Sequence, residues 1–239
     1  RGRYNLKQLD ISTGRLTLGV YIAGDGNWKD EIKYLTKMSQ DWAEKVRVGQ
    51  IHRKDAWMAF RLTIRKSLDY CLQATYLTRK DLQKIHSAAL CRGLSSSGII
   101  RSLDRTICYA PFKYQGLGLH DPYIRQGVEH IKFIMQQAES PSISGKLLRF
   151  TVEGTKLETG LPGNLFHHDF NIYGRLATQS WVKATWQFVW EYNISLEDSS
   201  TSLPLLRHND RPIIVDIMNA SNWTNEDIKC IKKMMMYLD

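Results

Sequence analysis

The sequence has no Cys-x-x-Cys pair. Its four cysteines, Cys71, Cys91, Cys108 and Cys230, stand far apart, and no histidine lies at zinc-finger spacing from them. That excludes a zinc module and fits reduced, buried thiols. No apolar run approaches the roughly 20 residues that span a bilayer, and no signal-peptide pattern opens the chain. The Asn-x-Ser/Thr triplets at Asn193, Asn219 and Asn222 therefore read as chance, and the expected compartment is intracellular, nucleus or cytoplasm. Catalytic signatures are missing as well: there is no Gly-rich phosphate loop, no Gly-x-Ser-x-Gly elbow and no His-Glu-x-x-His. Internal repeats and low-complexity tracts are absent. The chain opens Arg1-Gly2-Arg3 without an initiator Met, as expected of a piece of a longer protein.

What is present is positive charge. Across 239 residues, 33 Lys and Arg face 24 Asp and Glu, a formal net charge of +9. This balance favours an anionic partner, nucleic acid first and a membrane surface second. A hydrophobic content of 43% suffices for a real core in one large domain or two small ones.

The apolar pattern is mostly helical. Leu16, Leu18, Val20 and Ile22 alternate with polar or small residues, which predicts a short strand that turns at Asp25-Gly26. A first helix starts at an Asn27 cap with Asp30 and Glu31 in its first turn. It carries Trp28, Ile32, Leu35, Met38, Trp42 and Val46 on one stripe and stops at Gly49. A second helix is expected over 53–76. A third opens on the Thr78–Asp81 capping pair and stops at Gly93. Asp121-Pro122 starts another; further helices are expected over 146–157, 178–192 and, capped by Thr224 and Asp227, to the end of the chain. The Gly/Pro-rich stretch 160–173 is the expected internal boundary. Trp181, Trp186 and Trp190 sit at helical spacing and read as core rather than as a base-stacking set, and His167-His168 as a polar loop rather than a metal site.

The excess charge is concentrated. Lys45, Arg47, Arg53, Lys54, Arg61, Arg65 and Lys66 are opposed only by Asp55. Lys29, Lys33 and Lys37 recur every four residues on the first helix, and Arg61 and Arg65 share that spacing on the second. Two such helices side by side would offer basic ridges to a phosphate backbone. On spacing alone a solvated face is the preferred reading, the first helix being diluted by Asp30, Glu31, Asp41 and Glu44.

Three stretches resemble a known family. Leu18-Gly19 with Asp25-Gly26 resembles the strand and turn that follow the catalytic palm of non-LTR retrotransposon reverse transcriptases. Gly116-Leu117-Gly118-Leu119, followed by Asp121-Pro122-Tyr123 and the Gln126–Ile131 helix, is similar to that family's GLGL segment, with Gln115 in place of a frequent glycine. Arg207-His208-Asn209-Asp210-Arg211 looks like an "R.nDr" stretch of the same group. The resemblance implies a mainly α fold: a thumb-like helical bundle after a short strand or hairpin, with a second, smaller helical region. It divides the chain into a palm end at 1–26, a three-helix thumb at 27–93, connector helices at 94–159 and a C-terminal helical region at 160–239. It implies that Leu18 and Gly19 lie near a primer end. Lys33, Lys37, Lys45, Arg47, Arg53, Lys54, Arg61, Arg65 and Lys66 would hold an RNA–DNA or DNA template–primer duplex, with palm and fingers upstream in the same polypeptide. The family's aromatic-x-Asp-Asp motif is not in the sequence. No cofactor is expected in this chain, Mg²⁺ belonging to the missing palm, and the isolated chain is expected to be inactive as a polymerase. A non-catalytic helical interaction protein, or the remnant of a mobile element, is the alternative.

Overall fold

A computed structural model describes residues 10–196 and Asp227. The expected helix over 224–238, apart from Asp227, and the Arg207–Arg211 stretch lie outside the described residues. The chain divides into two compact units, Arg1–Glu129 and His130–Asp239.

The first unit is helical behind a small hairpin. Strands β1 (Arg15–Thr17) and β2 (Val20–Ile22) pair antiparallel, with Arg15 opposite Ile22 and Thr17 opposite Val20. The expected single strand is therefore folded in half at Leu18-Gly19. Both turn residues have positive φ, 50° and 86°, the conformation that a two-residue turn of matching twist requires. A period-two pattern reads the same along one strand or around a tight hairpin, so the alternation did not distinguish them. Of its four apolar positions only Val20 is buried, and Leu18 is 89% exposed at the tip.

Helix α1 (Lys29–Val48) packs along α4 (Arg79–Ser96). Between them in sequence runs a rod made of α2 (Arg53–Ala59), a π-helical turn (Phe60–Ile64) and α3 (Arg65–Asp69). The rod stops short of the expected residue 76. Beyond it Leu77 is clamped by a buried side chain, Gln126 accepting from the Leu77 N–H and donating to its carbonyl, both at 3.0 Å. Leu35, Ile64, Leu68, Leu72, Leu82 and Ile85 fill the shared core. The Thr78 cap forms as expected, its hydroxyl accepting from the Asp81 N–H at 3.2 Å. Gly93 does not stop α4, which runs on to Ser96; a Cβ at Gly93 would lie 2.6 Å from the Phe60 ring, so this glycine lets the rod approach α4.

Helix α5 (Arg105–Tyr109) is followed by a 3-10 turn (Phe112–Tyr114) and by the GLGL segment, which folds back on it. The N–H groups of Leu117 and Leu119 donate to the carbonyls of Ile107 and Cys108 at 3.1 Å. The Asp121 carboxylate caps helix α6 (Pro122–Gln137), accepting from Tyr123 and Ile124.

The second unit holds α7 (Ile143–Thr159), a 3-10 turn (Leu165–His167), α8 (Phe170–Tyr173) and α9 (Trp181–Glu191). In the stretch 160–173, Leu161, Leu165 and Phe166 are buried in this unit's core with Leu148, Val182 and Trp186. Trp186 is fully buried and donates to the His168 carbonyl at 2.9 Å. The imidazole nitrogens of His167 and His168 bond to the carbonyls of Leu196 and Pro162. No helix among the described residues is long and apolar enough to cross a membrane.

Candidate nucleic-acid interface

Two clefts lie between α1 and the α2–α3 rod. The first, about 500 Å³, is lined by Lys37, Asp41, Trp42 and Lys45 from α1 and by Thr63 and Ile64 from the rod. The second, about 400 Å³, is lined by Gly19, Glu31, Lys66, Tyr70 and Cys71. Tyr34, Met38 and Ser67 line both, so the two form one trough that ends at the hairpin. Lys37 and Lys45 stand eight residues apart on one helix, about 12 Å along its axis. Lys66 faces them from the rod. Three lysines against two acids, Asp41 and the fully buried Glu31, leave the trough positive.

The π-helical turn shapes this lining. An inserted residue shifts the helical phase, and π turns recur at functional sites. Here Thr63 and Ser67, four residues apart across the end of that turn, face the same cleft. Their hydroxyls are bonded to the backbone carbonyls of Ala59 and Thr63.

Side chains fix the hairpin end. The Tyr70 hydroxyl donates to the Leu18 carbonyl at 3.0 Å, and its ring lies 3.2 Å from where a Gly19 Cβ would be. Asp30 accepts from the Gly14 N–H at 2.7 Å, and Glu31 from the Tyr21 N–H at 2.8 Å. The two acids of the first turn are thus hairpin anchors as well as dipole partners. Glu31 is fully buried, and burial holds its carboxyl above the ordinary range against the pull of the Tyr21 N–H. Burial, with the Glu31 charge beside it, pushes the Cys71 thiol up to about 12. Cys71 is a packed thiol and not a nucleophile.

The nine cations singled out from sequence divide into groups. Lys37, Lys45 and Lys66 line the trough, with Gly19 at its end. Lys33, Arg53 and Lys54 are exposed outside its lining, and Arg47 is exposed and forked onto Glu44, with Nε at 2.8 Å. Arg61 and Arg65 lie on the other side of the rod. The Arg61 guanidinium sits 5.3 Å from the Phe112 ring centre and 5.9 Å from that of Trp57. Arg65 donates to the His120 carbonyl at 2.8 Å and lies 4.0 Å from Asp69, its side chain largely buried. The i,i+4 spacing did place Arg61 and Arg65 on one face, but that face meets Phe112 and His120, which flank the GLGL segment. Tyr34 and Tyr70 are trough residues the sequence reading missed; the available signal was an aromatic off the core stripe, next to Lys33 in one case and four residues after Lys66 in the other.

Another cleft of the first unit, about 490 Å³, is lined by His86, Arg105, Tyr109 and Asp121. Burial first, and Arg65 second, hold His86 down to about 4. Arg105 bridges the Cys91 and Cys108 sulfurs at 3.8 and 4.0 Å.

No family model, no curated protein and no solved structure matches this chain. That overturns the family labels drawn from the short motifs: reverse transcriptase, RNA-directed DNA polymerase, retrotransposon, transposable element and thumb domain are withdrawn as descriptions. The motif that weighed most has a local cause. A Cβ at Gly116 would lie 2.1 Å from the Ala110 carbonyl oxygen, and Gly118 has φ of +61°. Backbone packing therefore accounts for both glycines of the GLGL run without any family tie.

Proposed function

We propose that this chain is a non-catalytic helical module that grips the phosphate backbone of a nucleic-acid duplex, RNA–DNA or DNA, in the trough between α1 and the rod. The observation that carries this reading is that Lys37, Lys45 and Lys66, from two separate elements, line one continuous trough ending at Gly19. Lysines at this separation neutralise phosphates along a strand without reading bases. Tyr34 and Tyr70, both exposed, add flat faces against sugar and base. The grip needs no metal: Asp30 and Glu31 are engaged on hairpin N–H groups. The module would act in the nucleus or cytoplasm, where such duplexes occur.

The test is a fluorescence-anisotropy titration of labelled RNA–DNA and DNA duplexes across a salt series. Three phosphate contacts give log K against log salt a slope of about −2.7, roughly a 40-fold loss for a fourfold rise in salt. Absence of binding at low salt, or affinity that ignores salt, overturns the reading.

A further inference from the structure

Helix α7 carries apolar residues on two faces. Leu148 and Val152 point into the core of the second unit. The other face is open: Ile143 is 77% exposed, Leu147 61%, Phe150 79% and Leu157 61%. With Gly154 these positions are spaced four, three, four and three residues apart. On a helix that spacing keeps all five on one narrow stripe, the seam of a two-helix coiled coil. A solvated helix has no reason to keep large apolar groups at four of the five positions of such a seam.

We infer that this stripe is the contact between two copies of the chain, packed antiparallel about a two-fold axis at Phe150. The stripe is its own complement in that arrangement. Phe150 meets Phe150 of the second copy, Ile143 meets Leu157, and Leu147 meets Gly154. A Cβ at Gly154 would find nothing within 4 Å, so the stripe has an open gap here, a recess that an opposing leucine can enter. A parallel pairing sets Gly154 against itself and leaves a void, which is costly. Of the two charged residues beside the seam, Lys146 is exposed, while Glu153 is turned to the buried Lys156 at 2.9 Å with its other carboxylate oxygen buried, so the apolar pattern, not charge pairing, sets the orientation. Antiparallel helix dipoles add a favourable term, and an isologous contact of this kind closes at two subunits. The inference rests on α7 alone and not on the nucleic-acid reading.

The experiment is light scattering on the full chain from low to high micromolar concentration. The mass rises from monomer to dimer with concentration. Phe150→Glu is monomeric throughout, with unchanged helix content. Gly154→Leu separates a shaped seam from a merely sticky one: it fills the recess and weakens the dimer about tenfold, whereas an unshaped apolar patch would associate more strongly. Orientation is read by mild oxidation: chains carrying Ile143→Cys cross-link to chains carrying Leu157→Cys, and neither cross-links to itself above the unsubstituted chain. A mass that stays monomeric overturns the inference, including the case in which the C-terminal segment, with its own apolar Ile228, Ile231 and Leu238, shields α7 from hydrogen exchange. Tighter association of Gly154→Leu, or self-cross-linking of the single-cysteine chains, overturns it too.

Discussion

The two sides of the α2–α3 rod carry the same kind of residue and put it to opposite uses. On one side Lys66, with Thr63, Ser67 and Tyr70, lines an open trough. On the other, Arg65, its neighbour in sequence, is turned inward to the His120 carbonyl and Asp69. Burial pulls the Arg65 pKa down and pushes that of Asp69 up, each opposed by the charge of the other. What differs is the cover: the segment after α5 lies over the arginine side and leaves the lysine side free. Helical spacing tells which residues share a face, but what packs on that face decides whether a cation stays open to solvent or holds the fold.

The largest effect should come from the covered side. Arg65→Ala leaves Asp69 with only the charges of Arg125 and Lys66 beside it and the His120 carbonyl without its donor, and a broken buried pair costs about 3–5 kcal/mol. Urea denaturation should show that loss, while binding per folded molecule is kept. If stability is unchanged, the two sides do not differ as described.

His86, near Arg65, sharpens the contrast through pH. The folded protein holds His86 at about 4 against an ordinary value of 6.5. Between those values the unfolded chain binds a proton that folded His86 refuses. Its contribution is therefore complete above 6.5 and is lost as pH falls towards 4, by roughly 3 kcal/mol. His86→Phe should remove this part of the acid slope, measured as the urea midpoint near neutrality and near pH ~4. The same slope in both proteins would contradict it.

The smallest effect belongs to the open side. Tyr70→Phe removes the bond to the Leu18 carbonyl and should cost about 1 kcal/mol. Hydrogen exchange should quicken in the hairpin and leave α4 unchanged. A loss spread over the whole unit would mean that the trough side is coupled to the core as tightly as the covered side.

The elements were legible where local chemistry decides them. The Thr78–Asp81 cap, the Asp121-Pro122 start and the stripe of α1 need only neighbours along the chain. The hairpin reversal at Leu18-Gly19 was hidden because alternation survives folding in half. Gly93 was misread because its reason, the Phe60 ring, lies 33 positions away. The trough itself was half legible: Lys37, Lys45 and Lys66 stood among the candidates, but so did Arg61 and Arg65, and only a tertiary contact separates them. The antiparallel seam on α7 is written in the sequence from Ile143 to Leu157, yet its meaning depends on which face the core takes.

The account's central claim is that position, not total charge, makes the grip. The direct measurement compares two triple variants with equal loss of charge. Lys37→Ala, Lys45→Ala and Lys66→Ala together empty the trough; Lys33→Ala, Arg47→Ala and Lys54→Ala remove three exposed cations outside its lining. Duplex affinity should fall about 100-fold in the first, with the salt slope shallower by nearly 3, and less than about threefold in the second. Equal losses in the two variants would contradict the claim.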